Sequence, residues 1–264
     1  MYAQKLQSPH GDKISVRFLA PFLLAVATFG IAACSKTENP INPPVGQLRV
    51  ANAIADANPI DAMVSSLPSG ITNIAFGTGS GLKDFPDGSY RVRLTTNTNT
   101  GQVTFDANST PIDKNHTTMV YGTGRLSKGT QAAFVVEVTQ IQIPGNKSEV
   151  QFVNVASQQA APLDIYVTAP GASLVGVLPT TTLSFQSNNQ PALFAPGAYE
   201  VRVTPRGNPT TVLFDSGPVG VQFPATRTQQ FALLDNTNAA IASPLFLLVL
   251  TGTGGNFQIQ HGSS

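Results

Sequence analysis

Apolar and polar residues alternate along much of this chain, and they do so twice over in the same order. Tyr90, Val92 and Leu94 alternate with Arg91, Arg93 and Thr95. Tyr199, Val201 and Val203 alternate with Glu200, Arg202 and Thr204. A period of two turns one face to a core and the other to water, so each stretch predicts a half-buried β-strand. A turn precedes each strand. Phe85-Pro86-Asp87-Gly88 suits a type I turn, and Ala195-Pro196-Gly197-Ala198 suits a type II turn. Further strands are predicted at 47–54, 60–66, 71–76, 103–107, 117–122 and 133–143. Counterparts follow at 150–156, 163–168, 181–186, 211–215, 228–234 and 245–250. The apolar run "PLFLLVL" at 244–250 is too short to span a membrane and predicts a buried strand. After a Gly-rich turn, 257–260 can add an edge strand. No segment carries a helical period.

The repetition extends beyond one strand. "FPDGSYRVRLT" (85–95) returns as "FAPGAYEVRVT" (194–204), 109 residues later. "RVANAIADANPIDAMV" (49–64) returns as "QFVNVASQQAAPLDIYV" (151–167), "VTFD" (103–106) as "VLFD" (212–215), and "FVVEV" (134–138) as "FLLVL" (246–250). The order of blocks is kept, and spacing changes only where loops fall. This is a tandem repeat of roughly 100 residues, the length of an ordinary domain. The expected fold is all-β: two tandem immunoglobulin-like β-sandwich domains, 47–143 and 149–264, joined by the short link "PGNKSE" (144–149).

Charge changes the picture by exclusion. Only 11% of residues are charged and the net charge is +1. Such a balance offers no basic face for a phosphate backbone, so no nucleic acid partner is expected. Cys34 is the sole cysteine, which rules out an intramolecular disulfide.

Residues 1–33 read as an address. Lys5, Lys13 and Arg17 precede the apolar run "FLAPFLLAVATFGIAA" (18–33). The run is short for a membrane span and is interrupted by Pro21. Its end, Ile31-Ala32-Ala33-Cys34, resembles the lipobox of bacterial lipoproteins. That resemblance implies cleavage before Cys34, a diacylglycerol on its sulfur, and usually a further acyl chain such as palmitate on the new amino terminus. Two or three chains anchor stably where one would be marginal. Two other readings stand beside it: an ordinary signal peptide cut elsewhere, and an uncleaved anchor. Residues 34–46 carry three prolines and read as a lipidated Cys with an extended tether. Ser35 stands where an Asp would be expected for inner-membrane retention in a two-membrane envelope.

Candidate chemistry is sparse. Beyond the leader the histidines are His116 and His261, and neither recurs in the other copy. A zinc site or a Ser-His-Asp site would need more than these. "GTGSG" (77–81) lacks the Lys-Ser/Thr and the helix of a phosphate loop. No cofactor is predicted and no catalytic set is visible. Asp56, Asn58 and Asp61 could offer oxygens to calcium, or cap their own loop. Asp61 and Asp164 recur in Pro-(Ile/Leu)-Asp, and read either as ligand contacts or as acceptors for a neighbouring loop. Loops 55–60, 77–81 and 157–162 are the candidate contact loops.

The paired blocks resemble the domain of unknown function 4397 family, found in tandem in secreted and lipid-anchored bacterial proteins. Its opening resembles Val-Arg-Val-Val-His-Ala-Ser-Pro-Asp-Ala-Pro-x-Val-Asp-Val-Tyr. The counterparts here are "LRVANAIADANPIDAMV" and "VQFVNVASQQAAPLDIYV", and its Pro-x-Gly-x-Tyr-x-Val-Arg-Val pattern appears as "PDGSYRVRL" and "PGAYEVRV". The likeness extends over nearly all of 47–251. The family's usual His is Asn52 in one copy and Asn154 in the other. The expected protein is thus a non-enzymatic, lipid-anchored envelope protein with a binding or structural module. Its expected partners are the membrane, through the anchor, and an unidentified protein or polysaccharide. The alternative is a calcium-binding accessory or sensor.

Overall fold

The computed structural model describes residues 43–262, apart from 66, 140, 141 and 160. The leader, the lipobox residues Ile31, Ala32 and Ala33, the lipidation residue Cys34, and the tether up to 42 lie outside the described residues.

The fold is all-β. The first half contains β1 (Val45–Asn52), β2 (Ile60–Val64), β3 (Leu67–Ile74), β4 (Thr78–Gly79), β5 (Lys83–Pro86), β6 (Gly88–Thr98), β7 (Gly101–Ile112), β8 (His116–Thr123) and β9 (Ala132–Thr139). The second contains β10 (Ser148–Asn154), β11 (Leu163–Thr168), β12 (Thr181–Leu183), β13 (Ser187–Asn188), β14 (Ala192–Phe194), β15 (Gly197–Pro205), β16 (Phe214–Asp215), β17 (Val221–Phe223), β18 (Thr228–Asp235), β19 (Leu245–Thr251) and β20 (Asn256–Ile259). Among the described residues the sole helical element is a 3₁₀ turn at Leu126–Lys128.

Each half folds into two sheets. Sheet A runs β4-β1-β8-β9, with β5 also on β1, and sheet B runs β3-β2-β6-β7. In the second half, sheet C runs β13-β10-β18-β19-β20 with β14 on β10, and sheet D runs β12-β11-β15-β16 with β17 on β15. The first and eighth strands pair in parallel, Val50 opposite Val120, and so do β10 and β18, Phe152 opposite Phe231. Strands that share a sheet but run parallel need a long crossover, here the whole of sheet B or D.

The twice-written Pro-Gly-Tyr phrase marks a sheet change, not a hairpin. Phe85 and Pro86 pair with β1 in sheet A, and Gly88 onward pairs with β7 in sheet B. The second copy does the same, with Phe194 on β10 and Gly197 on β17. A tyrosine locks each corner by donating its hydroxyl to the carbonyl four residues back: Tyr90 to Pro86 at 2.8 Å, and Tyr199 to Ala195 at 3.0 Å.

Three apolar fillings separate the sheets. Val50, Leu48 and Val120 of sheet A meet Ile60, Val92, Leu94 and Phe105 of sheet B. Phe152, Phe231 and Leu247 of sheet C meet Ile165, Val203 and Phe214 of sheet D. The third lies between the halves: Ala51, Met119, Tyr121 and Val136 of sheet A pack on Val153, Ala232, Leu234, Phe246, Leu248 and Leu250 of sheet C. Successive residues of β8, β18 and β19 therefore enter different cores, because strand side chains alternate and both faces of these strands are covered. The layers stack B, A, C, D. Residues 41–264 form one compact unit. The two halves on either side of the link at 144–149 thus share a core.

Candidate functional site

Polar residues that recur in both copies bond to the chain itself. Asn52, at the end of β1, accepts from Ile54 N at 3.0 Å and donates to Ile74 O at 3.0 Å. Asn154 repeats this with Ala156 N at 3.1 Å and Leu183 O at 3.3 Å. Both are fully buried. Each ties the strand exit in one sheet to the last turn of a strand in the other, and satisfies groups that burial would otherwise strand. Ser80 Oγ accepts from Val50 N at 3.0 Å, as Asn189 Oδ1 does from Phe152 N at 2.6 Å.

The candidate carboxylates are also committed. Asp56 accepts from Leu126 N and Ser127 N, each at 2.9 Å, and so caps the 3₁₀ turn. Partial burial alone would raise its pKa. Hydrogen bonds from Ser127 and Leu126 outweigh that and hold it below the ordinary value. Asn58 donates to Asn97 O at 2.6 Å. Asp61 accepts from Asn73 N at 2.7 Å, where Asn73 has φ 57° at an irregularity of β3. Asp164 accepts from Thr182 Oγ1 at 2.5 Å and Gly207 N at 2.7 Å. Asp61 and Asp164 therefore hold equivalent places, each bound to the adjacent edge strand. Among the described residues no group of three or more His, Cys, Asp or Glu is placed to hold a metal. His116 Nδ1 lies 3.1 Å from Lys114 O, and His261 Nδ1 accepts from Asp215 N at 3.0 Å.

Of the three contact loops, two converge. Asp235, fully buried at the end of β18, accepts from Ser157 N and Gln158 N at 3.1 and 3.0 Å. The Arg125 guanidinium of the first half lies 4.0 Å from the same carboxylate. Loops 55–60 and 157–162 are thus stapled to neighbouring segments that meet through Arg125 and Asp235. The staple runs with opposite polarity in the two copies: in the first the carboxylate comes from the early loop, in the second from the end of β18.

Loop 77–81 belongs to the contact between halves. Gly77 has φ 71°, and a Cβ there would meet Gln258 Nε2 at 2.6 Å and Phe246 Cζ at 3.0 Å. Phe76 and Phe246 pack edge to face with centroids 5.8 Å apart. Gln258 donates to Gly77 O and Asn256 to Gly79 O, both at 2.9 Å, so β20 clasps this loop.

Arg49 is the residue that sequence patterning missed. It is 1% exposed. It donates to Ser80 O at 2.7 Å, and across the halves to Thr251 O at 3.0 Å, Gly254 O at 3.0 Å and Gly255 O at 2.8 Å. Burial brings its pKa down to about 10, partly offset by Tyr121, so it is a cation at neutral pH. Tyr121 donates to Gln230 Oε1, and Gln230 Nε2 donates to Gln151 Oε1 at 2.7 Å. Burial pushes the Tyr121 hydroxyl pKa up, keeping it a neutral donor. The alternation at 47–52 places Arg49 opposite Leu48 and Val50, which reads as solvent only if nothing covers that face.

A cleft of about 270 Å³ opens between the halves, with Met119, Val138 and Leu250 among its lining residues. Gln47, Arg49, Thr117, Thr228 and Arg227 line it too. A second hollow, of about 400 Å³, lies on the outer face of sheet B beside Asp61, Met63 and Arg93. The first draws its walls from both halves, the usual setting for a small-molecule site.

Among the described residues, no helix is long and apolar enough to cross a membrane. No curated protein matches the chain. The model of a domain of unknown function, DUF4397, matches residues 46–166, which take in the whole first half together with β10 and the first strand residues of β11. Over these residues the chain is similar to the DUF4397 family.

Proposed function

We propose that this is a non-enzymatic, lipid-anchored protein of the bacterial cell envelope, in which two tandem immunoglobulin-like β-sandwiches act as one binding or structural module. One observation carries the reading. In both copies the recurrent polar residues, Asn52 and Asn154, Ser80 and Asn189, Asp61 and Asp164, are bonded to the chain itself. What the duplication has kept is scaffold, and binding then falls to loops and to the seam between copies. The anchor is supported by Ile31-Ala32-Ala33-Cys34 at the end of an apolar run after basic residues. The partner in this reading is an envelope protein or polysaccharide, and the membrane is contacted through the acylated Cys34. In an envelope with two membranes, Ser35 after the cysteine favours the outer one. The calcium reading has less support, since Asp56 and Asp61 are each occupied by backbone N–H groups.

The test is fractionation of cells fed labelled palmitate. The native chain should carry label and enter the membrane pellet, and Cys34→Ala should lose label and become soluble. A Cys34→Ala protein that stays in the membrane refutes the anchor. Protease shaving of intact and permeabilised cells then reports which side the module faces.

A further inference from the structure

We propose that the cleft between the two halves is a binding site for a small amphipathic anion, a medium-chain carboxylate, with its head on the Arg49–Arg227 rim and its chain on Met119, Val138 and Leu250. The inference rests on the binding-module reading and is independent of the anchor.

The argument starts from donors. A guanidinium carries five N–H donors. Arg49 uses one at Nε, one at Nη1 and two at Nη2, all on carbonyl oxygens. The second N–H of Nη1 has no acceptor among the described residues, although the side chain is 1% exposed and lines the cleft. An unfilled donor on a buried cation is costly, and a ligand oxygen would satisfy it.

Charge points the same way. The carbonyls around Arg49 solvate its charge without neutralising it. Arg227 also lines the cleft, and its side chain makes no hydrogen bond or ion pair among the described residues. Among the described residues no Asp or Glu lines the cleft. Glu149, buried nearby in sequence to β10's start, accepts the Thr228 hydroxyl at 2.7 Å and is not a lining residue. Two cations in the lining of a partly enclosed space, with no carboxylate beside them among the described lining residues, favour an anion, because field lines concentrate in such a cleft.

Size and surface set the rest of the ligand. The volume of about 270 Å³ lies just under the roughly 300–1,000 Å³ of typical ligand sites, so the occupant is small. Met119, Val138 and Leu250 are buried apolar side chains, at 3%, 7% and 2% exposure. They suit an alkyl chain better than a sugar, which would want stacking rings and paired polar groups. Methionine in the lining also lets the site adapt to chain shape.

The experiment uses the protein with ¹³C-methyl methionine, titrated with octanoate and followed by NMR. Met119 reports on the cleft, and Met63, on the outer face of sheet B, is the internal control. Met119→Leu assigns the signals. A saturable shift of the Met119 methyl, with Met63 still, is expected. Arg227 is exposed, so Arg227→Gln should fold normally and weaken binding about tenfold, the change that loss of one charge-assisted hydrogen bond implies. 1-Octanol should bind at least about tenfold more weakly than octanoate, for the same reason. A Met119 methyl unmoved by millimolar octanoate, equal binding of octanol, or an unchanged Arg227→Gln affinity would each overturn the assignment. Movement of Met63 instead would also overturn the cleft, while leaving a binding module in place. Membrane fractionation of Cys34→Ala is unaffected by any of these results, so failure here and failure of the anchor are told apart.

Discussion

Replacing Asn52 with Ala strands two buried groups at once. The side chain is fully buried, accepts from Ile54 N and donates to Ile74 O, both at 3.0 Å. Alanine supplies neither partner and leaves a space too small to bring water in easily. An unsatisfied buried donor or acceptor costs about 1–3 kcal/mol. With two groups stranded and some relaxation of the 53–57 loop, the expected loss is about 3 kcal/mol. For a unit of this size a loss of that magnitude lowers Tm by roughly 6–12 °C. Asn154→Ala should match it, since Asn154 makes the same two bonds in the second copy. Its longer bond to Leu183 O, at 3.3 Å, sets it at the lower end of that range. Calorimetry and urea unfolding of both variants provide the measurement. Asn52→Asp discriminates mechanism: it keeps the acceptor, loses the donor and buries a charge, so it should be at least as damaging as alanine. A loss below about 1 kcal/mol in both alanine variants would refute the claim that these positions are structural keystones. The invariance would then have to come from something they bind.

The remaining predictions concern the seam and the loops. Wild type should unfold in a single calorimetric transition, because residues 41–264 are one compact unit. Phe246→Ala, which removes the ring packed on Phe76, should cost about 3–5 kcal/mol, and two resolved transitions in that variant would show the halves uncoupling. Gly77→Ala forces a side chain into φ 71° and against Phe246, so urea unfolding should show a loss of about 1–3 kcal/mol. Asp56 has a folded pKa below its ordinary 3.8, so its contribution is present above that value and lost as pH falls through the lower folded value. Asp56→Asn should therefore lower stability at neutral pH, where the carboxylate's contribution is fully present, and flatten the dependence of stability on pH below about 4, read from urea midpoints across an acid series.

The long strands were legible because one of their faces meets a core within the same half. The alternation of Tyr90, Val92 and Leu94, and of Tyr199, Val201 and Val203, falls inside β6 and β15. The predicted edge strand at 257–260 lies close to β20. Short pieces were not legible. Neither β4 nor β13, each of two residues, has enough length to show a period. In β5 and β14 the prolines and glycines of the following corner masked the pairing, so a sheet change read as a plain turn. The seam was the larger omission. Two sandwiches on a short link predict two wet outer faces, yet "PLFLLVL" has no wet face. Phe246, Leu248 and Leu250 need a cover as much as Leu245, Leu247 and Val249 do. That run was the available signal for a third filling. The roles of Arg49 and loop 77–81 were illegible for the same reason: whether such residues meet water depends on a partner sheet more than 150 residues away in sequence, since Arg49 bonds Thr251, at a separation of 202. At the candidate site, Asp56, Asn58, Asp61 and Asp164 read equally as ligand contacts or as caps of the chain, because residue type alone does not reveal whether the partner of a polar side chain is an ion or the backbone.

The extra strand β20 has no counterpart among the described residues of the first copy, and it lies along the outer edge of sheet C while gripping Gly77 and Gly79 of the first. A row of independent beads can grow by adding beads. Each copy here buries an apolar sheet face on the other copy, and β20 takes up the sheet edge beside that seam. Duplication here has made two copies that are not interchangeable, since it is the second that carries the strand clasping the first.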